Sequence, residues 1–240
     1  MDYTLSGLVT LPRLEVTIAP QAYDPAALTL ARCEEVVSTS QVRARGWYFP
    51  HINRDRLAAG PRSAYLANET EAAGWVNHLE RWRLYTTGQF VFQAMLWDVP
   101  DAELQAKMLE NARYEIKANA NIAGFVNFVG LIYSIGEVFV FASRLAQAVP
   151  FQTQVDVLVG LRSVKHWALG SSDFGADITP YTTPHDSPEQ KVSVPLDVLI
   201  ASPLAIATKA TVGIFEQFGW LNPSPNMIAQ WQAEIFKKQR

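Results

Sequence analysis

Between Asn77 and Trp97 the sequence alternates twice. Leu79, Arg81, Arg83 and Tyr85 fall on one side of the first arm, and Glu80, Trp82 and Leu84 on the other. After Thr86-Thr87-Gly88-Gln89, the residues Phe90, Phe92, Ala94 and Leu96 alternate with Val91, Gln93 and Met95. Two period-two arms around a turn with a glycine free to take positive φ specify an antiparallel hairpin. Further strands fit the same sheet. Leu14 to Ile18 alternates, and Val155, Val157, Val159 and Leu161 alternate clearly, with Lys165 to Leu169 able to pair back. Arg43 to Phe49 reads as a strand stopped by Pro50, and Arg62 to Glu69 as a weaker one. Phe125 to Tyr133, aromatic and β-branched, reads as a buried strand.

Helical signals lie between these strands. Asp24-Pro25 supplies an N-cap and a first-turn proline for a helix to about Val37. Asp98 to Asp101 opens another to about Lys117, with Leu104, Met108, Leu109 and Ile116 as its apolar face. Ser134 and Glu137 have capping-box spacing, which predicts a helix start there and a structural role for Glu137. Ser202-Pro203 and Ser224-Pro225 open a C-terminal helical pair over about 203–238. Strands and helices mix without regular βαβ alternation. The expected fold is therefore α+β: a mixed, largely antiparallel sheet with about five helices packed on it. The 240 residues suit a single domain, 1–240, with a long irregular loop at about 170–195 that holds Pro180, Pro184, Pro188 and Pro195. His166, His185 and the aspartates around them fall near or in that loop and read as solvated.

Composition removes several classes. At 49% hydrophobic and 18% charged residues, with a net charge of −3, the chain is neither disordered nor a global attractor of polyanions. Cys33 is the lone cysteine, so no intrachain disulfide forms; a reducing, cytoplasmic location and a buried apolar thiol are expected. From Ala118 to Gly136 no residue is charged, yet asparagines and glycines interrupt the run and Glu137 follows it. It reads as a core segment rather than a membrane span.

The chemistry-bearing signal is local. From Arg43 to Arg62 five arginines face one aspartate, around the run Trp47-Tyr48-Phe49. Arg81 and Arg83 repeat the theme. Guanidinium forks grip phosphate and exposed rings stack on bases, so the expected ligand-binding set is Arg43, Arg45, Trp47, His51, Arg54, Arg56, Arg81 and Arg83. The partner is then a nucleic acid or another phosphate-bearing ligand. The bland alternative is a solvated arginine face. A second reading is a metal-assisted hydrolase or nuclease with a site assembled from His51, Glu69, Glu71 and His78, in the loose cluster that also contains Glu80. Neither HExxH nor a spaced histidine pair is present, so no metal-ligand set and no cofactor is assigned. P-loop, Gly-x-Gly-x-x-Gly and Gly-x-Ser-x-Gly patterns are also missing. A third reading, a scaffold subunit or homo-oligomer, rests on seven tryptophans. Geometry separates the first two. His51 and His78 converging with a carboxylate on one cavity favours the enzyme; Arg43, Arg45, Arg81 and Arg83 on one open face favours binding.

Overall fold

A computed structural model describes residues 4–22, 24, 27–72, 78–97, 99, 101–115, 121–149, 153–171 and 177–237. It is α+β. Seven strands make one antiparallel sheet: β1 (Arg13–Pro20), β2 (Ala58–Ala59), β3 (Tyr65–Ala72), β4 (His78–Tyr85), β5 (Phe90–Met95), β7 (Gln154–Arg162) and β10 (Glu189–Pro195). Their order across it is β10-β7-β1-β5-β4-β3-β2. A second sheet pairs β6 (Gly124–Asn127) in parallel with β8 (Trp167–Ser171), and β8 antiparallel with β9 (Asp177–Thr182). Where about five helices are expected, the described residues form six: α1 (Leu30–Ser40), α2 (Ala102–Glu115), α3 (Phe128–Ala148), α4 (Leu196–Ala201), α5 (Pro203–Glu216) and α6 (Pro225–Lys237).

The predicted hairpin is β4–β5, turning at Gly88 with φ +85°. Register aligns the apolar sides of neighbouring strands. Val16 stands opposite both Phe92 and Val159, and Ile18 opposite both Phe90 and Val157. This inner face is covered by α3, whose Leu131, Ile135, Val138, Phe141, Ala142 and Leu145 are buried. Helices α1, α4, α5 and α6 pack on α3 in turn. By length and composition α3 is apolar enough to cross a bilayer, but 72% of its apolar window is buried inside the protein, the pattern of a core helix. Cys33 is fully buried on α1, and burial pushes its thiol up to about 11.

Several expectations are corrected. Arg43 to Phe49 is a tight loop rather than a strand. Val42 and Phe49 close it with reciprocal N–H···O bonds of 2.8 and 2.7 Å, and Gly46 at φ +94° reverses the chain between them. The Phe125–Tyr133 strand is only the short β6, because Asn127 caps α3 by accepting from the Gly130 N–H at 3.0 Å. Ser134 is thus inside a helix, and its hydroxyl donates back to the Gly130 carbonyl at 2.9 Å, so the capping box does not form. Lys165 to Leu169 does not pair back on β7; β8 joins the second sheet instead.

The expected loop at 170–195 contains β9 and β10. Pro180 and Pro195 are tolerated because both strands are edges of their sheets, where a missing N–H breaks no ladder, and Pro184 and Pro188 fall between the strands; residues 172–176 lie outside the described ones. The first helix starts at Leu30, with Thr29 accepting from the Arg32 N–H at 3.2 Å; Pro25 lies outside the described residues. So do the side chains of Leu109 and Ile116. His166 and His185 are exposed.

Candidate functional site

Three inward-facing polar groups on the sheet hold the segment that follows the 43–49 loop. The buried Asn68 amide, on β3, accepts from the Asn53 N–H at 3.0 Å and donates to the Asn53 carbonyl at 2.6 Å. On β4, the Trp82 indole N–H donates to the His51 carbonyl at 2.6 Å, and Glu80 Oε1 accepts the His51 backbone N–H at 2.7 Å. The backbones of His51 and Asn53 are thereby satisfied without a strand, and the preceding loop is set against α3.

A cavity of about 260 Å³ opens between them. Leu14, Phe92, Ala94, Val126 and Leu131 form its apolar lining; Arg45, Trp47, His51, His78, Glu80, Trp97 and Ser134 bring its chemistry. Trp47 and Trp97 lie 4.6 Å apart between centroids, and His78 stacks on Trp97 at 4.8 Å and 17°. The Arg45 guanidinium stands over both indoles, 5.3 and 6.0 Å from their centroids. Its Nη2 donates to Glu137 Oε2 at 2.5 Å and to Ser134 Oγ at 3.1 Å. The three-residue spacing of Ser134 and Glu137 therefore matters, but as one helix face turned to an arginine.

Glu80 is buried between two histidines. His51 Nδ1 lies 3.0 Å and His78 Nε2 2.8 Å from the same oxygen, Oε2. Burial alone would raise the Glu80 pKa; hydrogen bonds and charge from His51 and His78 outweigh it and hold the carboxyl below its ordinary value. Burial pulls His51 down, but Glu80, aided by Glu137, leaves it raised. Glu137 has no exposed surface, and burial raises its pKa against the opposing pull of Arg45. One of its oxygens, Oε1, has no protein partner among the described residues.

The expected binding set is split. Arg45, Trp47 and His51 line the cavity. Arg43 is exposed beside Tyr48, with its guanidinium 5.4 Å from that ring's centroid. Arg54 and Arg56 are exposed on the single turn Arg54–Arg56. Arg81 and Arg83 lie on the opposite side of the sheet, where Arg81 Nε donates to Gln93 at 2.5 Å and Arg83 stacks over Tyr65. Glu69 and Glu71 are exposed, out of phase with buried Asn68, so neither joins His51 and His78; Glu80 does. One signal could have found Glu80: it is the carboxylate on the Trp82–Leu84 side of an alternating strand. Arg45–Glu137, 92 residues apart, left no signal in spacing.

No protein-family model, no curated protein and no solved structure matches this chain.

Proposed function

We propose that this chain binds a small organic anion with a flat apolar body, phosphate-bearing in the simplest case, in the cavity beneath the 43–49 loop. The observation that carries the reading is Arg45, only 14% exposed, lying over Trp47 and Trp97 and lining the same cavity as His51. A polynucleotide asks for cations strung along an open groove. Of the six arginines in the expected set only Arg45 lines the cavity, and Arg81 and Arg83 lie on the opposite side of the sheet, which favours a small ligand over a strand. The cavity volume also suits a small molecule. Because Glu137 balances Arg45, affinity comes from donor geometry and apolar contact more than from net charge.

Tryptophan fluorescence tests this directly, since two indoles form the wall. Phenyl phosphate and a nucleoside monophosphate should quench it saturably, and Arg45→Met should abolish the effect. Tight, salt-sensitive binding of a single-stranded oligonucleotide that survives Arg45→Met would overturn the reading, as would no response to any probe.

A second reading, a hydrolase acting on such a ligand, is supported by His51, Glu80 and His78 meeting at the same cavity. The scaffold reading has less support, because Trp82 is buried and Trp167, Trp220 and Trp231 pack against the core.

A further inference from the structure

His51 and His78 approach one oxygen of Glu80 from two directions, and the donor atoms of the three residues all lie within 4.8 Å of one another. We propose that they bind one divalent first-row cation of the zinc class, with its remaining coordination positions turned toward the cavity. Two imidazoles and one carboxylate are the donor set such cations take where a position is left open for water or substrate. The spacing is close to what a metal needs. Donors in a tetrahedral shell with bonds of about 2.0–2.1 Å stand roughly 3.3 Å apart. Each imidazole therefore has to move away from Glu80 by a few tenths of an ångström, and the two imidazole nitrogens, within 4.8 Å of one another, have to settle at the same spacing.

Charge points the same way. Glu80 is 3% exposed and His78 8%, so the group sits out of water. A carboxylate buried between two imidazoles carries a charge that has to be met locally, and buried charges are paired or coordinate metals. The ligands are also held in place by neighbours. The backbone of His51 is tied to Glu80 and Trp82, and the His78 ring lies flat on Trp97. Such outer contacts fix ligand orientation.

The inference does not rest on the organic anion; the cation is tested alone. Chelator-treated full-length chain is dialysed against Zn²⁺ and the bound metal counted by mass spectrometry, with Co²⁺ absorption reporting the coordination. One equivalent should bind. His51→Ala and Glu80→Gln should each weaken binding about tenfold or more, while Glu69→Gln and Glu71→Gln leave it unchanged. Glu80 also holds a backbone amide, so its variant is checked for folding by circular dichroism. His51, at 30% side-chain exposure, gives the variant that keeps the test decisive. No stoichiometric uptake by the wild type would mean that a proton alone neutralises the cluster. That result, or uptake indifferent to His51→Ala, would overturn the proposal. Quenching by phenyl phosphate would still stand on its own.

Discussion

The two faces of the seven-stranded sheet carry the same residue types and use them differently. On the outer face, register sets Glu69 opposite Arg81, Arg81 opposite Gln93, and Gln93 opposite Glu15. Long polar side chains directly across from one another meet without further help. Gln93 donates to Glu15 at 2.5 Å, Arg162 bridges Glu15 and Glu189 at 2.9 and 2.8 Å, and Gly160 leaves the space that the Arg162 guanidinium occupies. Water reaches much of this row. On the inner side, Glu80 and Asn68 on the sheet and Glu137 on the covering helix α3 are buried. Glu80 is held by His51 and His78, Asn68 by the Asn53 backbone and Glu137 by Arg45, specific partners rather than a row of interchangeable ones. A row screened by water tolerates the loss of a member; a buried pair does not.

Orphaning a buried charge should have the largest effect. Arg45→Met leaves Glu137 alone in the core and should cost about 3–5 kcal/mol, read as a lower urea midpoint. Adding Glu137→Leu to Arg45→Met should recover much of the loss. No recovery would mean that the destabilisation comes from the 43–49 loop itself.

A neutral inner group should cost less. Asn68→Ala strips the Asn53 backbone of both its partners on β3. The expected loss is about 1–3 kcal/mol, together with weaker quenching by phenyl phosphate as the 51–53 segment loosens. Loss of stability with ligand response intact would separate this anchor from the cavity.

The faces also differ in how far the sequence discloses them. Outer positions obey alternation, so the hairpin, β1 and β7 are legible, and Arg81 and Arg83 fall where period two puts them. The C-terminal helices are legible from their Ser-Pro starts. The inner site departs from local rules. Arg45 sits in a loop shaped by Gly46 rather than a strand, and its partner is 92 residues away in sequence. The Ser134–Glu137 spacing fits a cap and a helix face equally well, and only tertiary packing chooses between them. The edge strands β9 and β10 are hidden by prolines that would disqualify a central strand.

Outer-face substitutions sharpen the contrast from the other side. Glu15→Gln loses the charge that Arg13 and Arg162 share, yet its side chain is 22% exposed. The expected cost is about 1 kcal/mol or less, and it should shrink in high salt. A loss as large as that of Arg45→Met would show that the outer row is as critical as the buried pair.

The smallest effect belongs to the edge pair on the same face. Asp156 accepts from Lys191 Nζ at 2.7 Å and from the Ser193 hydroxyl at 2.6 Å. Those two contacts, Lys191 first, hold its carboxyl below the ordinary value. A depressed carboxylate stabilises the fold above its unfolded pKa, and that contribution is lost as pH falls through the folded one. Asp156→Asn should therefore lower stability slightly at neutral pH. The gap from wild type should begin to narrow as pH falls below about 4 and close only below the depressed folded pKa, where both side chains are uncharged. Lys191 is 60% exposed, so solvent screens the pair and high salt should close most of the same gap at neutral pH. A gap that persists in salt at neutral pH but closes in acid would assign the effect to the Ser193 hydrogen bond, which a neutral amide oxygen accepts less strongly than a carboxylate, rather than to the ion pair.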